Sequence, residues 1–431
     1  MSAAAAMERA PWALVHDGEF FAWARATAER FDCAAGNPPF IRYQTFNGAV
    51  RERALGLCRS LGAEFSGLTS SWAPFLVATA SLLKRGGRMA FIVPAEIGHA
   101  PYAAPLLDYL VESFATVQVV AVREKLFPEL SEDCWLLFAE GYGGQATHIM
   151  FTAVDSFRPG SPVPRHGERV EVHEWRNVWN RRLRPLLLPR EARALYRMAA
   201  EDPGSRRFGS IANAGIGYVS GANNFFHLRP SDAERWNIPT ALLFPTVRNA
   251  KALPQRRLTH ATIETWRKAD APTMLLRLPK TNNIQLPAAV RRYLDSDAGM
   301  EARKAFKCRV RDPWYSVPDV RTPDYFLAYM SGRTAGLVRN LAGATCTNSV
   351  HGVSVLDKPA MSRAVKNWDS AFVAVSREIE GHPLGGGMLK LEPGEASRIL
   401  IPSEELFPQL ENSVMADAVS TMRRWRHYAG Q

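Results

Sequence analysis

The run FDCAAGNPPFIRYQ constrains this chain more than any other stretch. Phe31 to Ala35 is a short, largely apolar segment of the kind that forms a buried strand. It stops at Asn37-Pro38-Pro39-Phe40. Proline fixes φ and has no N–H, so a ladder cannot run through a Pro-Pro pair. The loop is therefore rigid, and it presents carbonyl oxygens and the Asn37 amide rather than backbone donors. Phe40, directly behind, can lie on the face of a planar ring. Asn and Pro are also common turn residues, so a plain strand-to-loop exit is the competing reading.

The order of segments around this run predicts an α/β unit. A helical run from Trp72 to Lys84 leads through Gly86-Gly87-Arg88 into an apolar strand from Arg88 to Val93. Tyr102 to Phe114 has helical spacing, and Val117 to Val122 is β-branched. Gly141-Tyr142-Gly143-Gly144 closes the last hairpin, which sets a first domain over residues 1–144. Residues 145–205 read as a connector, and residues 206–431 as a second domain of short strands, Pro-rich turns and polar loops. Gly385-Gly386-Gly387 is read as a turn. The chain shows no internal repeat and no low-complexity tract.

Several phrases resemble the gamma-type adenine-N6 DNA methyltransferases. They are Asn37 to Phe40, the FPELSED run with Phe127, the DGEFFAW run from Asp17 to Trp23, and four phrases further on. Those four are GIGYVSGANNFF, PTVRNAKAL, KCRVRDPWYSVP and GGGMLKLEPGEASRILIP. The resemblance implies a partial Rossmann-like class I methyltransferase sheet followed by a mixed α+β target-recognition domain. It implies that the Asn37 side-chain oxygen and the Pro38 carbonyl accept hydrogen bonds from the amine of an extruded adenine. Pro39 stiffens that loop, and Phe40 and Phe127 hold the ring. It implies S-adenosylmethionine as cofactor, with its adenine read by Asp17, Glu19 and Phe20; Glu19 stands where the family has Asp. The amine proton can leave after transfer, so no general base is expected. A restriction-modification or phage-defence setting is part of the same resemblance.

The family's glycine-rich cofactor loop has no counterpart ahead of DGEFFAW. Gly215-Ile216-Gly217 could substitute only in a permuted enzyme, and its flanks match the recognition domain instead. The strand Phe31 to Ala35 would then form an exposed apolar sheet edge. The expectation is a split enzyme, a heterodimer in which a second polypeptide completes the sheet and supplies the cofactor loop. The alternatives are a DNA-binding relic without catalysis and, on weaker grounds, an RNA or protein-glutamine methyltransferase.

A net charge of +11 and an arginine-rich set of cations suit a polyanion, here double-stranded DNA. Candidate DNA contacts are Arg42 and Tyr43 after the Asn-Pro-Pro loop, then Asn223, Asn224, Arg248, Asn249 and Lys251, and finally Arg309 and Arg311. His351 reads as a structural histidine, and Trp314-Tyr315 as core. Five scattered cysteines form no CxxC or Cys/His cluster, so no metal site is expected. They fit a reducing cytoplasm. No apolar run is long enough to span a membrane, and the N-terminal residues lack the pattern of a leader.

Overall fold

The computed structural model describes residues 3–428 except 131, 159, 281–285 and 334. The chain divides into two compact units, Met1–Leu187 and Leu188–Gln431.

The first unit is α/β. Its helices are α1 (Ala3–Arg9), α2 (Phe20–Ala26), α3 (Gly48–Ser60), α4 (Trp72–Ala80) and α5 (Ala104–Ser113), with α6 (Val172–Asn177) after the last strand. The strands β1 (Phe31–Gly36), β2 (Leu83–Pro94), β3 (Phe114–Val122), β4 (Cys134–Tyr142), β5 (His148–Val154) and β6 (Glu168–Glu171) form one sheet in the order β1-β2-β4-β3-β5-β6. β1 runs parallel to β2 and β3 parallel to β5; the other pairs are antiparallel. β5 and β6 fall in the stretch expected as a connector, and they add a parallel and an antiparallel strand to this sheet.

Apolar residues that meet between helix and sheet make the core. Trp72, Leu76, Val77, Leu106, Leu107, Val119 and Leu137 are all fully buried, each stabilised by about 1.5–3 kcal/mol on leaving water. The helical run expected from Trp72 to Lys84 ends early, at Ala80. Leu83 and Lys84 already belong to β2, and Gly86-Gly87 forms a bulge inside the strand rather than a turn before it. Across that bulge the step from Phe31 to Cys33 spans Leu83 to Arg88. Gly86 takes φ +80°, and a Cβ on Gly87 would stand 2.8 Å from the Lys84 carbonyl. Two glycines therefore let the strand kink.

Among the described residues β1 pairs with β2 alone, and five of its six residues are exposed. Phe31, at its start, remains 39% exposed. An apolar strand with one free edge is a template for pairing with further chain.

The second unit is mixed α and β. Its largest sheet has the strand order Arg257–Leu258, Leu337–Asn340, Tyr325–Ala328, Val350–Val355, Ala212–Ile216. A four-stranded sheet, ordered Thr345–Cys346, Leu243–Val247, Met274–Leu276, His227–Leu228, stands with it. The helix Ala371–Glu380 packs against the helix Ser413–Trp425, which also meets the helix Arg190–Glu201. Between the first two, the buried Arg426 guanidinium grips the Glu378 carboxylate through Nε (2.9 Å to Oε2) and Nη2 (2.9 Å to Oε1). Among the described residues no helix is long and apolar enough to cross a membrane.

Candidate functional site

Asn37 to Phe40 leaves β1 at the free edge of the first sheet. Asn37 and Pro39 are exposed, Pro38 is buried and Phe40 is half-buried. One residue fixes the loop, and the sequence reading missed it. The Ser71 hydroxyl donates to the Pro39 carbonyl (2.5 Å) and accepts from the Ile41 N–H (3.0 Å). The Ser71 N–H donates to the Ile41 carbonyl (2.9 Å). With Pro39 and Ile41 held, the Asn37 side chain and the Pro38 carbonyl take no hydrogen-bond partner among the described residues. Two oxygens without donors, on consecutive residues, can each accept a hydrogen bond. Ser71→Ala is expected to destabilise the chain by about 1–2 kcal/mol and to speed amide exchange at Ile41, read by hydrogen exchange.

Behind Ser71 the packing is polar and well tied. Trp72 Nε1 donates to the Tyr102 hydroxyl (3.3 Å), which donates to the Glu96 carboxylate. Burial pushes the Glu96 acidity toward the neutral form, against the hydrogen bond from Tyr102. Arg42, just past Phe40, meets Glu132 at 2.8 Å, which ties the Asn-Pro-Pro loop to the loop that carries Phe127. That hydrogen bond holds the Arg42 guanidinium more firmly protonated than usual. The Arg42 side chain is 69% exposed, so the pair is a weak link that a phosphate can replace. Phe127 is half-buried and Tyr43 is 39% exposed. Ser131 of the FPELSED run lies outside the described residues.

Under β1 lies a groove of about 500 Å³, lined by Phe20, Trp23, Phe31, Phe75 and Phe91 and reaching Asn37. Phe20 stacks on Phe75 with ring centroids 4.1 Å apart. Glu19 does not face this groove freely. Its carboxylate accepts from the N–H groups of Phe21 (2.8 Å) and Ala22 (3.0 Å) at the start of α2, and it pairs with Arg53 at 2.9 Å. The expected cofactor contact of Glu19 is thus replaced by a helix cap. Asp17 is exposed. The aromatic walls suit a planar ring such as the adenine end of S-adenosylmethionine.

In the second unit, Asn224 and Arg248 come together: Arg248 Nη2 donates to Asn224 Oδ1 at 3.2 Å. Asn249 caps the turn Ala250–Ala252, which carries the exposed Lys251. The Asn223 side chain accepts from the Ser220 hydroxyl. Arg309 is exposed, its guanidinium 5.9 Å from the Phe306 ring. Arg311 differs from the expectation. Its guanidinium donates to the carbonyls of Val219 (2.6 Å), Ser220 (2.6 Å) and Ser316 (3.3 Å), so it braces a turn instead of offering its donors to phosphate. His351 is buried, its Nε2 2.6 Å from the Leu391 carbonyl, a structural position.

A buried trio supports this region: the Tyr218 hydroxyl lies 2.8 Å from His227 Nε2 and 2.6 Å from Thr246 Oγ1. Burial drives the His227 pKa down to about 3. Unfolded histidine titrates near 6.5, so between these values the unfolded chain binds the extra proton. Stability from this group is complete above pH 6.5 and falls as pH drops toward 3. His227→Gln is expected to remove about 2 kcal/mol of the loss between pH 7 and pH 5, read by urea unfolding at the two pH values.

Comparison with known proteins follows the same division. Residues 180–427 match the family described as the C-terminal domain of the Type II methyltransferase M.Eco57I, and residues 5–127 match the Eco57I restriction-modification methylase family. The chain belongs to this family of restriction-modification DNA methyltransferases. It is 19% identical over 382 residues to the Type II methyltransferase M.AccI of Acinetobacter calcoaceticus, covering 86% of this chain and 68% of that protein. It is 23% identical over 381 residues to M.XamI of Xanthomonas campestris pv. amaranthicola, covering 86% and 67%. Among solved structures, the Type IIL restriction-modification enzyme MmeI in complex with DNA is similar in fold. Its TM-score is 0.50 at 11% identity, over 93% of this chain and 55% of that one. The chain thus spans about half the length of that structure.

Proposed function

We propose that this chain is the catalytic and target-recognition part of a DNA methyltransferase that modifies the N6 amine of an extruded adenine. The observation that carries this is that the Asn37 side chain and the Pro38 carbonyl have no hydrogen-bond partner among the described residues, in a loop that Ser71 ties at Pro39 and Ile41. An exocyclic amine is a weak nucleophile because its lone pair is delocalised into the ring. Two acceptors aimed at its hydrogens draw the nitrogen toward tetrahedral geometry and return the lone pair to it. Phe40 and Phe127 hold the faces of the base, and Arg42 and Tyr43 grip the strand beside it. S-adenosylmethionine, when bound, supplies an electrophilic methyl group. Phe20 and the aromatic groove beneath β1 fit its adenine end.

The free edge of β1 supports a further part of the proposal. A strand and glycine-rich loop from additional polypeptide would pair there, cover the groove and hold the rest of the cofactor. We assign that role to a second subunit of a heterodimer. The first domain, residues 1–144, then acts on the base. The second, whose compact unit begins at Leu188, reads the sequence of double-stranded DNA through Asn223, Asn224, Arg248, Asn249, Lys251 and Arg309. The setting is a restriction-modification system in the bacterial cytoplasm, at the nucleoid.

The test is S-adenosylmethionine-dependent adenine methylation of genomic DNA by this chain, alone and co-expressed with its neighbouring genes. Activity only on co-expression, with a stable complex, is the expected result. Activity of the chain alone overturns the second subunit. DNA binding without methylation in either sample overturns the catalytic assignment.

A further inference from the structure

The largest sheet of the second unit ends in a cleft of about 580 Å³ that none of the proposed DNA contacts lines. Its floor is the outer face of two antiparallel strands, Ala212–Ile216 and Val350–Val355. Across them Asn213 pairs with Ser354, and Gly215 pairs with Gly352. A Cβ built on Gly215 would meet no atom within 4 Å, whereas at Gly352 the Pro323 side chain already covers the strand, 3.2 Å from where a Cβ would stand. Lys307, Val310 and Arg311 line it, as do Asp319, Arg321 and Pro323.

Three observations give the cleft its chemistry. Its volume is that of a site for a ligand of nucleotide size. Lys307 and Arg321 are exposed and cationic, and both line the cleft. Apolar surface stands open at the same place: Ile216 is 55% and Val310 61% exposed. Phe306, next to Lys307, is 63% exposed, with Lys307 Nζ 5.8 Å and the Arg309 guanidinium 5.9 Å from its ring centre. An aromatic ring left in water beside cations is the composition that stacks bases and holds their phosphates. The open backbone of Gly215 accepts the flat face of a ring, and Asn213, Ser354 and Asp319 offer edge hydrogen bonds.

We propose that this cleft takes one unstacked nucleotide of the DNA strand, separate from the base held at Asn37. Its ring lies on the open backbone of Gly215 beside Pro323, and its phosphates lie against Lys307 and Arg321. The inference rests on the proposed DNA reading and adds a second point at which the duplex is opened.

The test is anisotropy titration of the full chain with a short mixed-sequence duplex, and with the same duplex bearing a single-nucleotide bulge, over a range of salt. Unpaired nucleotides need no unstacking, so the wild type is expected to prefer the bulge. Gly215→Leu fills open space without a backbone penalty, and circular dichroism should confirm its fold. It is expected to lose that preference and to bind the bulged duplex about tenfold more weakly. Lys307→Ala and Arg321→Ala should each lower the salt slope by about one. A wild type that binds no DNA overturns the DNA reading together with the cleft. A wild type that binds DNA while all three variants match it overturns the cleft alone. Deoxynucleoside monophosphates bound by the wild type, with duplex affinity of Gly215→Leu unchanged, would mark a free-nucleotide site and also overturn the proposal.

Discussion

Asn37→Ala is expected to lower the methylation rate of the assembled enzyme by about 10²–10³-fold, the usual loss when one preorganised polar contact to the reacting centre is removed. The fall should lie in kcat, because the amine becomes tetrahedral only as the methyl group arrives. Folding should be untouched. The Asn37 side chain is exposed and partners no other described residue, so its removal breaks no internal bond. DNA affinity should also hold, since one neutral side chain adds nothing to phosphate neutralisation. The measurement is single-turnover methylation beside DNA binding and thermal unfolding on the same preparation. Unchanged kcat would show that the oxygen of Asn37 does not touch the amine, and Pro38 alone could not then orient two hydrogens. Asn37→Asp offers a further check: it keeps the acceptor and adds charge, so it should retain more activity than Asn37→Ala.

The contrast between Asn37 and Ser71 shows which part of the site the sequence can reveal. Asn37-Pro38-Pro39 is contiguous, and its rigidity follows from proline alone. Ser71 acts on Pro39 from 32 residues away. In the sequence it sits among Ser66, Thr69 and Ser70, a composition that reads only as a loop before a helix. Glu19 was legible in another sense. A polar residue just before the helical run FFAWARA is a cap signal, and that local bond competes with any ligand for the same oxygens. Arg311 was not legible at all, because its acceptors on Val219 and Ser220 lie 92 and 91 residues back along the chain. Periodicity gave the α/β order of the first unit. It could not separate α4 from β2, since apolar residues run on through Leu82 and Leu83 while the geometry changes. The exposed edge at β1 was expected from the resemblance, which has no counterpart here for the family's neighbouring strand, and β1 does stand at the end of its sheet.

Glu378→Ala is expected to cost the largest share of stability, about 3–5 kcal/mol. Arg426 and Glu378 are 1% and 3% exposed. Water cannot replace the carboxylate once it is gone, so the cost is that of an uncompensated charge and not that of the pair's net attraction. Arg426 keeps its bonds to the carbonyls of Gly332 (2.6 Å) and Gly387, which places the loss toward the lower end. The site joins the helix Ala371–Glu380 to the end of the helix Ser413–Trp425, so loosening it should be felt across the second unit. Urea unfolding of the full chain measures the loss. The decisive comparison is the double variant Glu378→Met with Arg426→Met. Removing both charges abolishes the pair's desolvation cost as well as its attraction, while Arg423, whose Nε lies 3.8 Å from Glu378 Oε1, loses that carboxylate in either variant. The double variant should therefore recover the part of the loss that the stranded Arg426 causes. If the double variant is as unstable as the single one, the pair stabilises by packing and geometry, and the charge itself is not what the fold depends on.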